Sequence, residues 1–283
     1  MFRPPDPTGI AICHNSTNTL SARLLVADRA GYVLRLRANL LGSVEKWGTP
    51  GHGKGEYSRP SGVAVDNRNG NIFVSNSGNH RIEKLRSDGN RILTAGKPGS
   101  AGTGEAEFNL PTAIALDPTK RDVFVSDTGN NRIQKLTNEC RFILQMHGIW
   151  SMGIAVDLNS NVYISDTNNH KIQKRTSDLQ QIITEWGQYG SGNGEFNQPY
   201  GIAVDYKNDV FVADRLNHRV QRFSADGTHI NNLVTSGPGN AEFRSPFGVV
   251  IDYNTGSVYV SDDGYNSIQV FTKDGIFIDK KVL

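Results

Sequence analysis

Cysteine, methionine and tryptophan are scarce in this sequence: its 283 residues include two cysteines, three methionines and three tryptophans. Cys13 follows an apolar run, whereas Cys140 lies in a later turn. Cysteines in such unrelated positions do not suggest a disulfide framework, and their scarcity favours a reducing compartment. The single sequon at Asn15 favours the opposite, but one such tripeptide is common by chance. We therefore expect a cytoplasmic protein.

The chain also lacks a surplus of either charge and any long apolar run. Lys and Arg number 30 and Asp and Glu 28, so the formal net charge is +2. This balance provides no overall basic surface for nucleic acid, although a local basic patch is compatible with it. No apolar stretch approaches the roughly 18 residues that a membrane helix needs, and residues 1–5 lead into no signal-peptide core. The sequence predicts a soluble protein with no membrane partner.

No helical periodicity is visible, and a short apolar motif occurs six times instead. Each copy reads Gly or Ala, apolar, Ala or Val, apolar, and the copies begin at Gly9, Gly62, Ala113, Gly153, Gly201 and Gly248. An interval of 40 to 53 residues is typical of repeat architectures, in which no unit buries its apolar faces alone. Because the repeat fills the chain, we predict a single domain, residues 1–283.

The fifth copy shows the content of one unit. Three apolar or alternating runs, 201–205, 210–214 and 219–223, predict strands, and the turn signal Asp226-Gly227 leads into a fourth strand, 228–234. Six four-stranded antiparallel meanders predict an all-β fold, a six-bladed β-propeller, because radial packing buries both faces of each sheet. The predicted blades are approximately 1–50, 51–97, 98–148, 149–188, 189–236 and 237–283.

Glycine-rich segments precede four of the units. Each ends in an aromatic residue five positions before the next unit begins, and these residues are Tyr57, Phe108, Phe196 and Phe243. No Lys-Ser/Thr pair and no helix follows, so a nucleotide-binding loop is disfavoured. We predict that the segments are flexible radial crossings whose aromatic side chains plug the gaps between blades.

The composite pattern resembles the NHL repeat. It reads Phe196-x-x-Pro199-x-Gly201-Ile202-Ala203-Val204-Asp205, then Val210-Phe211-Val212-Ala213-Asp214-x-x-Asn217-His218-Arg219-Val220-Gln221-x-Phe223, and it recurs in other units. The resemblance covers essentially the whole chain and implies an NHL-type propeller, as in TRIM-NHL proteins. Members of this family serve as protein-interaction platforms, as RNA-binding ends of ubiquitin ligases, as sensor domains and, in one branch, as a metal-dependent peptide-amidating lyase. It also implies that further modules can adjoin such a domain in a larger protein.

An enzyme would need ligands where the six blades converge, at the positions just before each first strand. These positions are occupied by Thr8, Ser61, Thr112, Met152, Tyr200 and Phe247. The lyase branch is expected to carry Pro-His pairs at several of them, and this chain has none. Since no nucleophile elbow or Cys/His pairing is present either, we expect no enzyme, no cofactor and no metal site.

Several polar residues recur at fixed repeat positions, which favours structural roles. His80, His170 and His218 lie at one such position, and we interpret them as scaffold rather than metal ligands. An acidic column, with Asn in the second unit, opens the loop into the third strand: Asp28, Asn76, Asp127, Asp166, Asp214 and Asp262. A basic column lies mid-strand, where we expect the side chains to extend along blade edges: Arg35, Lys84, Lys135, Lys174 and Arg222, with Val270 in the sixth unit.

The remaining candidates for binding lie on the loop-rich face. We predict that Met152, Tyr200 and Phe247 flank the channel mouth and that polar, basic and aromatic residues surround it: Arg81, Arg132, His170, Lys171, Arg215, His218, Arg219 and Tyr265. Aromatic residues among basic groups suit a protein or peptide partner, the favoured function, or single-stranded RNA, the alternative.

The repeat breaks in two places. The connection between the third and fourth units shrinks to 147–151, without the glycine-rich segment, so Trp150 either edges a notch in the rim or, as we favour, fills the space of the missing plug. The first unit departs most, with Cys13 in place of the aspartate that ends the other first strands. Because the chain starts at a first strand and ends after a fourth, ring closure is expected to rest on face packing of the first and sixth blades.

Overall fold

In the computed structural model, which describes residues 6–15, 18–233 and 242–283, six four-stranded antiparallel sheets form the predicted six-bladed propeller. The first, innermost strands are β1 (Pro7–Asn15), β7 (Pro60–Asp66), β11 (Pro111–Leu116), β15 (Ser151–Val156), β19 (Pro199–Val204) and β23 (Pro246–Ile251). The second strands are β2 (Asn18–Asp28), β8 (Asn71–Asn76), β12 (Val123–Asp127), β16 (Val162–Asp166), β20 (Val210–Asp214) and β24 (Ser257–Asp262). The third are β3 (Tyr32–Arg37), β9 (Arg81–Leu85), β13 (Arg132–Leu136), β17 (Lys171–Arg175), β21 (Arg219–Phe223) and β25 (Ser267–Thr272). The fourth are β4 (Glu45–Trp47), β10 (Arg91–Ala95), β14 (Phe142–His147), β18 (Ile182–Trp186), β22 (His229–Asn232) and β26 (Phe277–Val282). A short parallel pair, β5 (Thr49–Pro50) and β6 (Glu56–Tyr57), lies in the crossing between the first two blades.

Each blade is a simple meander, as the turn signals predict. The third and fourth strands are joined by tight turns in which Gly89, Gly227 and Gly275 have φ between +86° and +90°, a conformation that glycine adopts without steric cost. Two predicted features, Val234 at the end of the fifth blade and the glycine-rich segment from Gly237, lie outside the described residues.

Small residues lead the innermost strands because the strands crowd together at the axis. A Cβ atom on Gly153 would lie 2.0 Å from the carbonyl oxygen of Tyr200 in the next blade. The same holds for Gly62, whose Cβ would lie 2.3 Å from the carbonyl oxygen of Thr112. This crowding explains why the repeated motif begins with glycine or alanine.

The hydrophobic core consists of layers between neighbouring blades. The layer between the second and third blades contains Phe73, Phe108 and Val125, all inaccessible to solvent. Tyr57, Phe108, Phe196 and Phe243 are each at most 4% exposed and pack between two blades, so their predicted role as plugs is confirmed.

The first and sixth blades close the ring by face packing, without strand exchange. Ile10 and Leu24 of the first blade share one core layer with Tyr259 and Ile268 of the sixth. The Ser261 hydroxyl donates to the Thr8 carbonyl across the same junction. None of the described residues belongs to a helix long and apolar enough to cross a membrane.

Candidate functional site

The six positions before the first strands form two unlike halves of the channel mouth. Blades one to three supply Thr8, Ser61 and Thr112, and blades four to six supply Met152, Tyr200 and Phe247. Below them the axis holds a cavity of only about 60 Å³, lined by residues of all six innermost strands. Ligand pockets usually measure about 300–1,000 Å³. A ligand of that size therefore cannot bind within the channel.

The large apolar residues pack into one cluster instead of standing free. Met152, Tyr200 and Phe247 are 8%, 7% and 3% exposed, and the rings of Tyr200 and Phe247 meet edge to face at 5.1 Å. Trp150 is half-buried and packs against this cluster. The prediction that Trp150 fills the missing plug is wrong, because Ile149, 4% exposed, occupies the core layer between blades three and four. Trp150 is thus the part of the cluster nearest to solvent.

The residues that follow the acidic column lie around the mouth. In blades two to four they are hydroxyl residues, and each donates to a backbone carbonyl of the next blade. Ser77 donates to Pro111, Thr128 to Ser151 at 2.8 Å and Thr167 to Pro199 at 2.7 Å. In blades five, six and one this position holds charged residues, which are Arg215, Asp263 and Arg29.

These three charged residues form a cluster above the apolar half of the mouth. A terminal guanidinium nitrogen of Arg215 lies 2.9 Å from a carboxylate oxygen of Asp263, and one of Arg29 lies 3.7 Å from the same oxygen. The Arg215 guanidinium lies 4.6 Å from the Tyr200 ring centroid, and that of Arg29 lies 4.9 Å from the Phe247 centroid. Two cations thus cover two aromatic faces, an arrangement that cation–π attraction stabilises.

Burial and like charge act together on Arg29. Desolvation lowers the pKa of Arg29, Asp6 and Asp263 partly oppose this effect, and Arg215 and Arg59 add to it. A partly desolvated guanidinium near a second cation gains from an added anion. The part of the mouth formed by blades five, six and one is therefore suited to an acidic group beside an apolar surface.

Sequence reasoning found Arg215 but missed Arg29 and Asp263. An alignment of the six repeats at the position after the acidic column would have revealed them. There blades two to four have hydroxyl residues, whereas blades five, six and one have charged residues. Arg29 lies in the degenerate first repeat, where the Asn-His-Arg pattern that anchors the alignment is missing.

The predicted basic ring is largely part of the scaffold. All five N–H donors of Arg132 are used: Nε bonds Asp127 at 2.7 Å, and the other four reach Gln145 and the carbonyls of Thr103, Gly104 and Glu107. Arg132 is 2% exposed. In the other two blades that have a described crossing, Arg219 bonds Gly192 and Glu195, and Arg81 bonds His52, Gly53 and Glu56, all through backbone carbonyls.

These bonds attach the three described glycine-rich crossings to the third strands of the blades that follow them. Within each of these three crossings a glutamate side chain also accepts a backbone N–H, as Glu195 does from Gly192 at 2.8 Å. The acidic column has its predicted role of accepting amide hydrogens: Asp127 accepts from Asn109 N at 2.7 Å and Asp214 from Asn197 N at 2.8 Å.

Blade four differs because no crossing precedes it. Lys171 occupies the position of Arg132, but it bonds Glu185 at 2.7 Å and its side chain is 40% exposed. Gln173 also donates to Glu185, at 3.0 Å. The short connection thus leaves a cleft of about 360 Å³ at the rim between blades three and four.

The remaining candidates are structural or peripheral. His80 and His170 adopt left-handed backbone conformations after short 3₁₀ turns, which histidine and asparagine tolerate better than most residues. The Nδ1 atoms of both accept a backbone N–H of the next blade, at 3.1 Å. His218 has the same conformation and contacts the Arg244 carbonyl. Tyr265 is half-buried beneath Lys280. Among the residues that the structure describes, no His, Cys, Asp or Glu side chains form a group that could hold a metal ion.

Comparison with known proteins places the chain among proteins with the same repeat. The NHL repeat model matches residues 57–85, 108–136 and 196–223. NHL repeat-containing protein 3 of Mus musculus is 33% identical over 111 residues, which cover 37% of this chain and 31% of that protein. Peptidyl-glycine alpha-amidating monooxygenase of Mus musculus is 33% identical over 96 residues, which cover 33% of this chain and 10% of that protein.

A solved structure of a nidogen/laminin complex has a TM-score of 0.69 at 18% identity and covers 91% of this chain and 92% of that one. This likeness concerns the fold alone, and it extends well beyond the three segments that the repeat model matches. The chain thus carries NHL repeats in the three matched segments, and its fold is a six-bladed β-propeller.

Proposed function

We propose that this propeller is a non-enzymatic interaction domain that binds a protein or peptide partner on the mouth face. NHL-type propellers generally act as protein-interaction scaffolds, which supports the general role. The observation that carries the specific site is the break in the hydroxyl column, which sets Arg29 and Arg215 over the cluster containing Trp150. Such a surface suits a peptide with an acidic group next to a large apolar side chain, because Arg and Trp dominate binding hot spots.

The alternative functions have less support from the site. Single-stranded RNA needs several basic groups free for phosphate, but Arg81, Arg132 and Arg219 are bonded to the chain's own carbonyls. Peptidyl-glycine alpha-amidating monooxygenase is named as an enzyme, but the matched segment covers 10% of it. The six mouth positions here include no histidine, and the axial cavity of about 60 Å³ is too small for a peptide substrate.

Peptides selected from a random display library on the immobilised domain should be acidic and contain a large apolar residue. We expect Trp150→Ala and the charge reversal Arg59→Glu each to weaken their binding at least tenfold, or about 1.4 kcal/mol. Arg59 is exposed and lies outside the buried cluster, so its substitution tests the charge without disturbing the fold. Isothermal titration calorimetry measures both affinities.

Tyr206→Ala is the matched control, since Tyr206 is 52% exposed beside Lys207 on the opposite face. It should leave peptide affinity unchanged. Selected peptides that bind both mouth variants as tightly as the wild type would place the site elsewhere. Tight binding of a single-stranded RNA that falls steeply as salt rises would favour the RNA alternative instead.

A further inference from the structure

A second cleft lies on the face opposite the mouth, between the first and second blades. It measures about 340 Å³, within the range of small-molecule sites. Its walls come from the ends of the innermost strands and from two turns of blade two. The lining includes Cys13, Arg23, Leu25, Arg35, Trp47 and Arg68.

The cleft exists because the first blade lacks a ring that other blades have. Leu25 pairs across the sheet with Arg35, at the position where blades two to five place an aromatic residue under a cation. The cations of those blades lie 5.1–5.7 Å from the ring centroids of Phe73, Phe124, Tyr163 and Phe211. A leucine is smaller and leaves space between the blades.

The first blade also lacks a bridge that closes this space elsewhere. At three junctions the mid-strand cation bonds the turn between the third and fourth strands of the next blade. Lys84 reaches the Asn138 carbonyl at 2.7 Å, Lys135 reaches Ser177 at 3.1 Å and Arg222 reaches Lys273 at 3.1 Å. Arg35 turns outward to Glu45 instead, at 3.2 Å, and the corresponding turn residue, Ser87, lines the open cleft.

The charge of the cleft is strongly positive. Three arginines line it, and no acidic residue is among its lining residues in the described part of the chain. Two carboxylates contact residues of the lining: the buried Asp252 lies 3.3 Å from His14, and Glu45 lies 3.2 Å from Arg35. Glu45 is 55% exposed, so its pair with Arg35 is weak and easily exchanged. In a chain whose net charge is +2, this is a marked local surplus.

From this geometry we infer that the cleft binds a small phosphate-bearing molecule, with the phosphate held by Arg35 and attracted further by the charges of Arg23 and Arg68. Arg68 donates through Nη2 to the Pro118 and Thr119 carbonyls, at 2.8 and 3.1 Å, so it adds positive charge to the wall and not a complete guanidinium fork. The planar guanidinium fork matches phosphate oxygens in pairs, which favours phosphate over a single-charge anion. The Trp47 indole, 5.4 Å from the Arg35 guanidinium carbon, provides an apolar wall for the rest of the molecule. The volume exceeds that of inorganic phosphate and accommodates a group the size of a nucleoside or a sugar.

Calorimetric titration with AMP, glucose 6-phosphate, inorganic phosphate and adenosine tests this site. We expect at least one of the two organic phosphates to bind with a Kd below about 1 mM, inorganic phosphate to bind more weakly, and adenosine not to bind. AMP binding without glucose 6-phosphate binding identifies a nucleotide site, and the reverse identifies a sugar phosphate site. No binding of either organic phosphate would overturn the proposal.

Substitutions of the two partners of the Arg35–Glu45 ion pair should have different effects on ligand affinity. Arg35→Gln should weaken binding at least tenfold, whereas Glu45→Gln should leave binding unchanged or tighten it, since it releases Arg35. Both side chains are at the blade edge, so neither substitution should prevent folding. Equal affinities of Arg35→Gln and the wild type would contradict the site, as would a loss of affinity in Glu45→Gln.

Alkylation of Cys13 by iodoacetamide offers a readout at the cleft itself. Bound ligand should slow the modification of Cys13 severalfold, as measured by mass spectrometry, and should not change that of Cys140. Cys140 is buried in another junction, and burial raises the pKa of its thiol to about 11. Binding without protection of Cys13 would place the ligand outside this cleft.

Discussion

Replacement of Arg132 by methionine is expected to lower the free energy of unfolding by about 3–5 kcal/mol, the usual cost of breaking a buried ion pair. The Arg132 guanidinium is 2% exposed and uses all five donors. Its removal leaves the carboxylate of Asp127, itself inaccessible to solvent, without its cation. It also frees three carbonyls of the crossing that precedes blade three. Urea-induced unfolding followed by circular dichroism measures the loss.

Lys171→Met is the matched control because Lys171 has the same position in blade four. Its side chain is 40% exposed and bonds Glu185 instead of a crossing. We expect the unfolding midpoint of this variant to stay within experimental error of the wild type. Similar losses in both variants would mean that the stability comes from the strand position and not from the crossing. Unchanged stability of Arg132→Met would refute the role of Arg132 as an anchor.

The architecture was predictable because the repeat states the same strand pattern six times. Alternating apolar residues fix which face of each strand is buried, and Asp-Gly pairs fix the hairpins, so errors in one unit are corrected by the others. The plugs and the acidic column were predictable for the same reason. Each of these residues lies at a fixed number of positions from the next strand. It should therefore contact the equivalent residues in every blade.

The candidate site was less predictable because its contacts join residues from different blades. Arg132 and Lys171 occupy one repeat position, but only the presence of a crossing makes the first a buried anchor. At the short connection Ile149, and not Trp150, occupies the core layer between blades three and four. Which of the two does so depends on the distance that the five-residue link spans between these blades. Arg29, Arg215 and Asp263 come together from three blades, although they are far apart in sequence.

The two proposed binding surfaces share one physical cause. Where a repeat position keeps its usual residue, the side chain is used to join neighbouring blades. The mouth cluster forms where Arg215, Asp263 and Arg29 replace hydroxyl residues, and the cleft forms where Leu25 replaces an aromatic ring. At the mouth the substituted residues still join blades, since Arg215 bonds Ser245 and Asp263 of blade six, but they bring charge to the junction. In the cleft the substitution leaves space.

Phe196→Ala is expected to cost about 3–5 kcal/mol of unfolding free energy, as for other buried phenylalanines. Phe196 is inaccessible to solvent and lies 5.5 Å from the Phe223 ring, in the layer between blades four and five. The crossing that carries it is held by Arg219 and Gln221, so it cannot move inward to fill the cavity. Tyr189→Ala, in the same crossing but 69% exposed, should change the urea midpoint little. If Phe196→Ala unfolds at the wild-type midpoint, the aromatic residue is not a plug, and the strand layers alone hold the ring together.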